Sequence, residues 1–219
     1  MTIAHRIDSI RRSLPPTVRP IAVTKQVPVE RIREAIDAGI TDLAESKLQE
    51  ALPKQERFRD IPGLEWHFIG HLQANKARKV LETFDWIHSI DSRKLAERID
   101  RLAGEMGLTP KVFLQVKVLP DPDKFGWEGD EILNDLDFLA TREHLKIQGL
   151  MTILPLRLSD PEKLSAFERT RDLARTMADR SGLVLPHLSM GMSDDYKLAI
   201  LAGATFIRLG TAIFGDRPG

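Results

Sequence analysis

The chain of 219 residues contains no cysteine. That excludes disulfides, thiolate metal ligands and cysteine nucleophiles, and it fits a reducing, cytoplasmic setting. Net charge is lacking as well. The 32 basic and 32 acidic side chains cancel, so no whole-molecule field draws the protein to DNA, RNA or an anionic membrane. Aromatic residues make up only 6% of the chain, with a single tyrosine, Tyr196. The opening stretch MTIAHRIDSIRRSLPP alternates charged and apolar residues and lacks the long apolar run of a signal peptide or membrane span. It reads as an amphipathic first helix. No low-complexity linker or Pro/Gly-rich gap interrupts the sequence, so residues 1–219 are expected to form one domain, and a monomer.

Short β-branched runs alternate with longer charged stretches at helical spacing. The runs span residues 19–25, 41–46, 66–70, 86–91, 111–118, 146–153, 185–191 and 205–210. This is about the number of strands that a closed (β/α)8 (TIM) barrel requires. In the intervening VERIREAIDAG, the residues Ile32, Ala35, Ile36 and Gly39 share one helical face, with Gly39 placed as a stop. Such βαβα alternation predicts an α/β fold with a buried parallel sheet. An open, doubly wound sheet competes with the barrel, but no G-x-G-x-x-G turn follows the first strand.

Functional groups of a parallel barrel collect where strands end and βα loops begin. The residues there are Lys25, Ser46, Gly70 with His71, Ser89 with Asp91, Met190 to Asp194, and Arg208 to Thr211. Lys25 closes the apolar run Ile21-Ala22-Val23-Thr24. Partial desolvation near another cation would make it a Schiff-base nucleophile, whereas taken alone it is a solvated strand-end lysine. Gly191-Met192-Ser193 and Gly210-Thr211 form two turns with the chemistry of a barrel phosphate site: close backbone approach, free N–H groups and hydroxyl donors. Ser193 could equally cap a helix starting at Asp194.

Other candidates are weaker. His67 and His71 have metal-ligand spacing, but no acidic cluster completes a site, so no metal is expected. Asn75, Lys76, Arg78 and Lys79 read as a solvated helix face rather than a nucleic-acid site. Met190 and Met192 are expected to pack beneath whatever the barrel binds.

These residues also carry a resemblance. AVTK ending at Lys25, AESKLQEA from Ala44, WHFIGHLQANK from Trp66, HSIDS from His88, KFGW from Lys124, GLMTI from Gly149, LSMGMSDD from Leu188 and IRLGTAIFG from Ile207 occur in order along nearly the whole chain. The sequence resembles the pyridoxal phosphate homeostasis proteins, the proline synthase co-transcribed homologue family, whose fold is similar to the N-terminal barrel domain of alanine racemase. The resemblance implies that pyridoxal 5′-phosphate (PLP, a vitamin B6 form) is the cofactor, held as an internal aldimine on Lys25. It further implies a phosphate held by Ser193, Gly210, Thr211 and the Met192 backbone, with Arg208 facing the pyridine nitrogen. Ser46 and Ser89 join these as candidate cofactor contacts. One departure is visible: Ala44-Glu45-Ser46 stands where the family often has G-E-N, so a contact made there by asparagine is shorter or lost.

The implied role is PLP homeostasis, and through it amino and keto acid balance, with PLP-dependent apoenzymes as partners. The alternative is a PLP enzyme with weak racemase-type activity. An arginine at the ring nitrogen makes the cofactor a weak electron sink. Racemases of this fold add a tyrosine from a second domain, for which this sequence offers no counterpart. A non-catalytic regulator is therefore the expectation.

Overall fold

The computed structural model describes residues 1–216; residues 217–219 of the expected domain lie outside the described residues. The chain runs α1 (Ile3–Ser13), β1 (Arg19–Val23), α2 (Val29–Asp37), β2 (Asp42–Glu45), α3 (Leu48–Phe58), β3 (Glu65–Phe68), a 3₁₀ turn (Ala74–Lys76) leading into α4 (Ala77–Thr83), β4 (Trp86–Ile90) and α5 (Arg93–Met106). It continues through β5 (Lys111–Lys117), β6 (Trp127–Glu128), α6 (Gly129–Asn134), α7 (Leu136–Ala140), β7 (Lys146–Met151), α8 (Asp160–Ser181), β8 (His187–Met192), α9 (Tyr196–Leu201), β9 (Phe206–Leu209) and α10 (Thr211–Phe214).

Every strand pairing is parallel, and pairings β1–β9 and β4–β5 close the sheet into a barrel. The two-residue β6 adds to β5 outside it and was not foreseen. Sequence signals set the helix ends. Ser92 caps α5 by accepting the Leu95 N–H at 3.4 Å, and Gly107 stops the helix in the left-handed region. α1 buries Ile3, Ile7 and Ile10, as its amphipathic pattern requires.

Strand alternation divides the core into two layers. Ala22, Leu43, Trp66, Ile87, Ile207 and Leu209 pack outward against the helices. Ile21, Val23, Ala44, Trp86, Phe113, Met151 and Phe206 pack inside the barrel. The interior is unusually polar for a barrel core, because His67 and His88 share it and are fully buried. His67 lies 5.7 Å from the Trp86 ring in a stacked geometry, and His88 lies 4.5 Å from Phe113.

Burial pushes both histidines below the ordinary value of 6.5, His88 well below it. The partly buried His187 shifts the same way. The charged groups around this interior are Arg19, Asp42 and Glu65 beside His67, Arg208 beyond His88, and Lys111 over Trp86. A histidine held neutral in the folded state binds fewer protons than in the unfolded chain, so its stabilisation is complete above about pH 6.5 and is lost as pH falls below that. Two such sites give a slope of up to about 2.7 kcal/mol per pH unit. Glu65, held down to about 2 by Lys111 and Arg19 against its desolvation, adds a separate loss only below about pH 4.5. Urea unfolding between pH 8 and pH 5 is expected to be flat above pH 6.5 and to fall steeply below it. A flat profile down to pH 5 contradicts neutral buried histidines.

Candidate functional site

At the C-terminal mouth of the barrel lies a cavity of about 290 Å³, at the lower end of the range for small-molecule sites. Lys25, Ser46, Met192, Ser193, Arg208, Gly210 and Thr211 all line it. Its apolar walls come from Val23, Val27, Ile69, Ile153 and Phe214, which the sequence reading missed. A signal was available: Val23 lies two residues before Lys25, and Ile153 ends the apolar run of residues 146–153. A wider groove of about 600 Å³ lies across Ser193–Asp194, against α1 and α9, and holds Tyr196. No barrel strand contributes to that groove.

Ser89 is not part of the cavity lining. The inward positions of β4 fall on Trp86 and His88, and the Ser89 hydroxyl is buried without a protein partner. Met190 is also turned away, packed among the outer-layer residues, while Met192 is exposed at the rim. His67 and His71 are separated: His67 is inside the barrel, and exposed His71 pairs with Asp91 at 3.0 Å and stacks on Phe125. Asp42, Glu65 and His67 do cluster, but Arg19 pairs with both carboxylates and Lys111 takes Glu65 as well. Arg78 and Lys79 pair with Glu105 and Glu82 on the solvated helix surface.

Lys25 lies two residues beyond the end of β1 and is exposed. The desolvation expected from its strand-end position is absent, because β1 stops at Val23 and Lys25 sits on the loop; the cation sharing its cavity is Arg208. The backbone on both sides of Lys25 is anchored from one place. Lys54 Nζ donates to the Thr24 carbonyl at 2.7 Å, to Glu45 Oε1 at 2.7 Å and to Glu50 Oε1 at 2.9 Å. Glu50 in turn accepts the N–H of Gln26, whose φ is +60°. Glu45 Oε1 also accepts the Thr24 hydroxyl at 2.6 Å. Burial raises the Glu45 carboxyl even so, and its second oxygen has no protein partner.

Lys54 was missed in the sequence, although Leu48, Ala51, Lys54 and Phe58 share the buried face of α3. Replacing it with methionine leaves a buried carboxylate uncompensated. We expect Lys54→Met to cost about 3 kcal/mol in urea unfolding, and added Glu45→Gln to restore part of that. A cost below about 0.5 kcal/mol contradicts the role given to this cluster.

Ser193 does not cap a helix at Asp194: α9 begins at Tyr196, and Asp195 closes the preceding turn by accepting the Met192 N–H at 2.6 Å. Instead, the Ser193 hydroxyl accepts the N–H groups of Gly210 and Ala212 at 3.2 and 3.1 Å. It thereby ties the β8 turn to the start of α10. Gly191 has a packing reason to be glycine. Its φ is +92°, and an added Cβ would lie 2.6 Å from the Ala199 Cβ.

Arg208 projects inward on the same face of β9 as Phe206. Nη1 donates to the Ser189 carbonyl and hydroxyl at 2.7 and 2.8 Å, and Nη2 to the Thr152 carbonyl at 2.8 Å. Among the described residues it forms no salt bridge with Asp195 or Glu168, the partners an outward guanidinium would need. Desolvation pushes it down to about 10, partly offset by the charge of Asp195, so it remains a cation at neutral pH. Three of its five N–H donors are used, and the residue lines the cavity.

Residues 1–218 match the family described as alanine racemase, N-terminal domain. A pyridoxal phosphate homeostasis protein of Synechocystis is 51% identical, over 96% of each chain. One from Escherichia coli K12 is 38% identical over 98% of this chain and 97% of its own. The structure of PipY from Synechococcus elongatus PCC7942, solved with PLP bound, superposes with a TM-score of 0.94 at 47% identity, covering 98% of this chain and all of that one. Alanine racemase of Clostridium difficile shares the fold alone, with a TM-score of 0.80 at 14% identity over 57% of its length. On sequence and fold together, the chain belongs to the pyridoxal phosphate homeostasis protein family, built on the alanine racemase N-terminal barrel.

Proposed function

We propose that this protein binds PLP in the mouth cavity and serves PLP homeostasis. The observation that carries the reading is the convergence of an amine, a guanidinium and a set of phosphate-type donors on one small cavity with apolar walls. These residues fit the group. Ser193 and Thr211 would hold the phosphate beside Gly210, whose own N–H is donated to Ser193, Val23, Ile69 and Ile153 would flank the ring, and Arg208 would face the ring nitrogen. Met192 would contribute its rim side chain, because its expected backbone N–H donor is taken by Asp195, and Ser46 stands where the family often has asparagine.

Lys25 would condense with the aldehyde, a C=N bond forming as water leaves. PLP supplies an electrophilic carbon and, when its nitrogen is protonated, an electron sink. A charged Arg208 opposes that protonation and so weakens the sink. The ionisable groups lining the cavity are Lys25, Asp194 and Arg208, and Tyr196 lies in the other groove. That set lacks a histidine or phenol acid/base pair, which favours a carrier over a racemase. We therefore read the protein as a cytoplasmic, single-domain, monomeric regulator that exchanges PLP with PLP-dependent apoenzymes. No helix among the described residues is long and apolar enough to cross a membrane.

An absorbance scan after mixing with PLP and dialysis tests the binding. A retained visible band is expected, and its absence contradicts the reading. Incubating the loaded protein with single L-amino acids, followed by chiral chromatography, separates the two roles: unchanged enantiomers support the carrier, and steady racemisation overturns it.

A further inference from the structure

An unbroken line of buried hydrogen bonds runs from Arg208 through the barrel interior to Asp42 near the start of β2. Arg208 Nη1 lies 2.8 Å from Ser189 Oγ, which lies 2.8 Å from His88 Nδ1. His88 Nε2 lies 2.9 Å from His67 Nδ1, and His67 Nε2 lies 3.0 Å from Asp42 Oδ1. The linking residues Ser189, His88 and His67 are fully buried.

The two ends fix the direction of every link. Arginine only donates, and an ionised carboxylate only accepts. Asp42 is kept ionised below its ordinary value by His67, Arg19 and Thr41, which outweigh its burial. His67 must then donate from Nε2 and accept at Nδ1. His88 in turn donates from Nε2 and accepts the Ser189 O–H at Nδ1, which leaves the Ser189 oxygen to accept from Arg208. Each group is satisfied with both imidazoles neutral, and no alternative arrangement satisfies all of them.

We propose that Asp42, His67, His88 and Ser189 are positioning residues for Arg208. The negative end at Asp42 orients the chain so that Arg208 meets an acceptor on its inner edge and keeps its remaining donors toward the cavity. This rests on the reading that Arg208 faces the ring nitrogen of bound PLP. The Ser189 and Thr152 carbonyls hold the guanidinium in place, but only the chain connects it through hydrogen bonds to a charged group, Asp195 acting on it through space alone. Asp195 closes a turn instead of pairing with it.

Two variants test this. Asp42→Asn removes the charge while keeping the shape, and Ser189→Ala cuts the chain at the other end without touching Asp42 or Arg19, so the second decides if the first does not fold. In ligand-free protein, ¹⁵N NMR of the histidine rings is expected to show both His67 and His88 as neutral Nε2–H tautomers that do not titrate between pH 6 and pH 8. The Arg208 side-chain resonance should move in both variants. In the PLP-loaded protein, the pH midpoint of the absorbance change should move at least about threefold in proton affinity, about half a pH unit. The shift should have the same direction as in Arg208→Gln, with PLP affinity changed less than that.

An Nδ1–H tautomer at either histidine overturns the chain, and so does an unmoved Arg208 resonance in both variants. A midpoint shifted by Arg208→Gln but by neither chain variant overturns the coupling. Failure to bind PLP overturns the reading of the cavity while the ligand-free NMR still decides the chain.

Discussion

Lys25→Ala is expected to abolish the visible band that PLP gives with the protein while leaving the fold intact. The side chain is exposed and lies two residues beyond the end of β1, so its loss removes no core packing. Its stability cost should stay within about 0.5 kcal/mol, as for other surface substitutions. The phosphate donors and Arg208 remain, so residual non-covalent binding should persist, rapidly lost on dialysis. Circular dichroism, urea unfolding and an absorbance scan of the same sample check all of this. A dialysis-resistant visible band in the variant places the covalent site elsewhere.

The largest stability effect belongs to Gly149 on β7. Its φ is +153°, and an added Cβ would lie 1.7 Å from the His187 carbonyl oxygen of the paired strand β8. Neither partner can yield, because both are backbone in a closed barrel and the β5–β7 register already shifts at this point. Gly149→Ala should therefore cost on the order of 4 kcal/mol or more, a large part of the total stability of a domain. Urea unfolding measures it directly. A loss under about 1 kcal/mol, itself the typical cost of a substitution, would show that the strand can repack around a methyl group.

Hydrophobic period made the barrel legible. The β-branched runs at residues 19–25 and 205–210 became β1 and β9, shortened by one or two residues where the chain leaves the ladder. Two-residue β6 was not legible, because a pairing that brief has no periodicity of its own. The mouth residues were found by their position at strand ends, and a strand end selects both faces. Ser89 was therefore chosen with Arg208, although β4 turns Trp86 and His88 inward instead.

Long-range partners account for the rest. Nothing local to His88 names Ser189, 101 residues away, and nothing local to Lys54 names the Thr24 carbonyl. Ser193 shows the same limit. Its neighbours suggest a cap for the next helix, but closure of the barrel brings α10 to it instead.

The amine that carries PLP can be identified directly. Borohydride reduction of the loaded protein fixes any imine as a stable secondary amine, and peptide mass mapping then locates it. The pyridoxyl mass should fall on the peptide containing Lys25 and vanish in Lys25→Ala. A pyridoxyl mass on Lys47, Lys76 or Lys117, with Lys25 unmodified, would contradict the site proposed here.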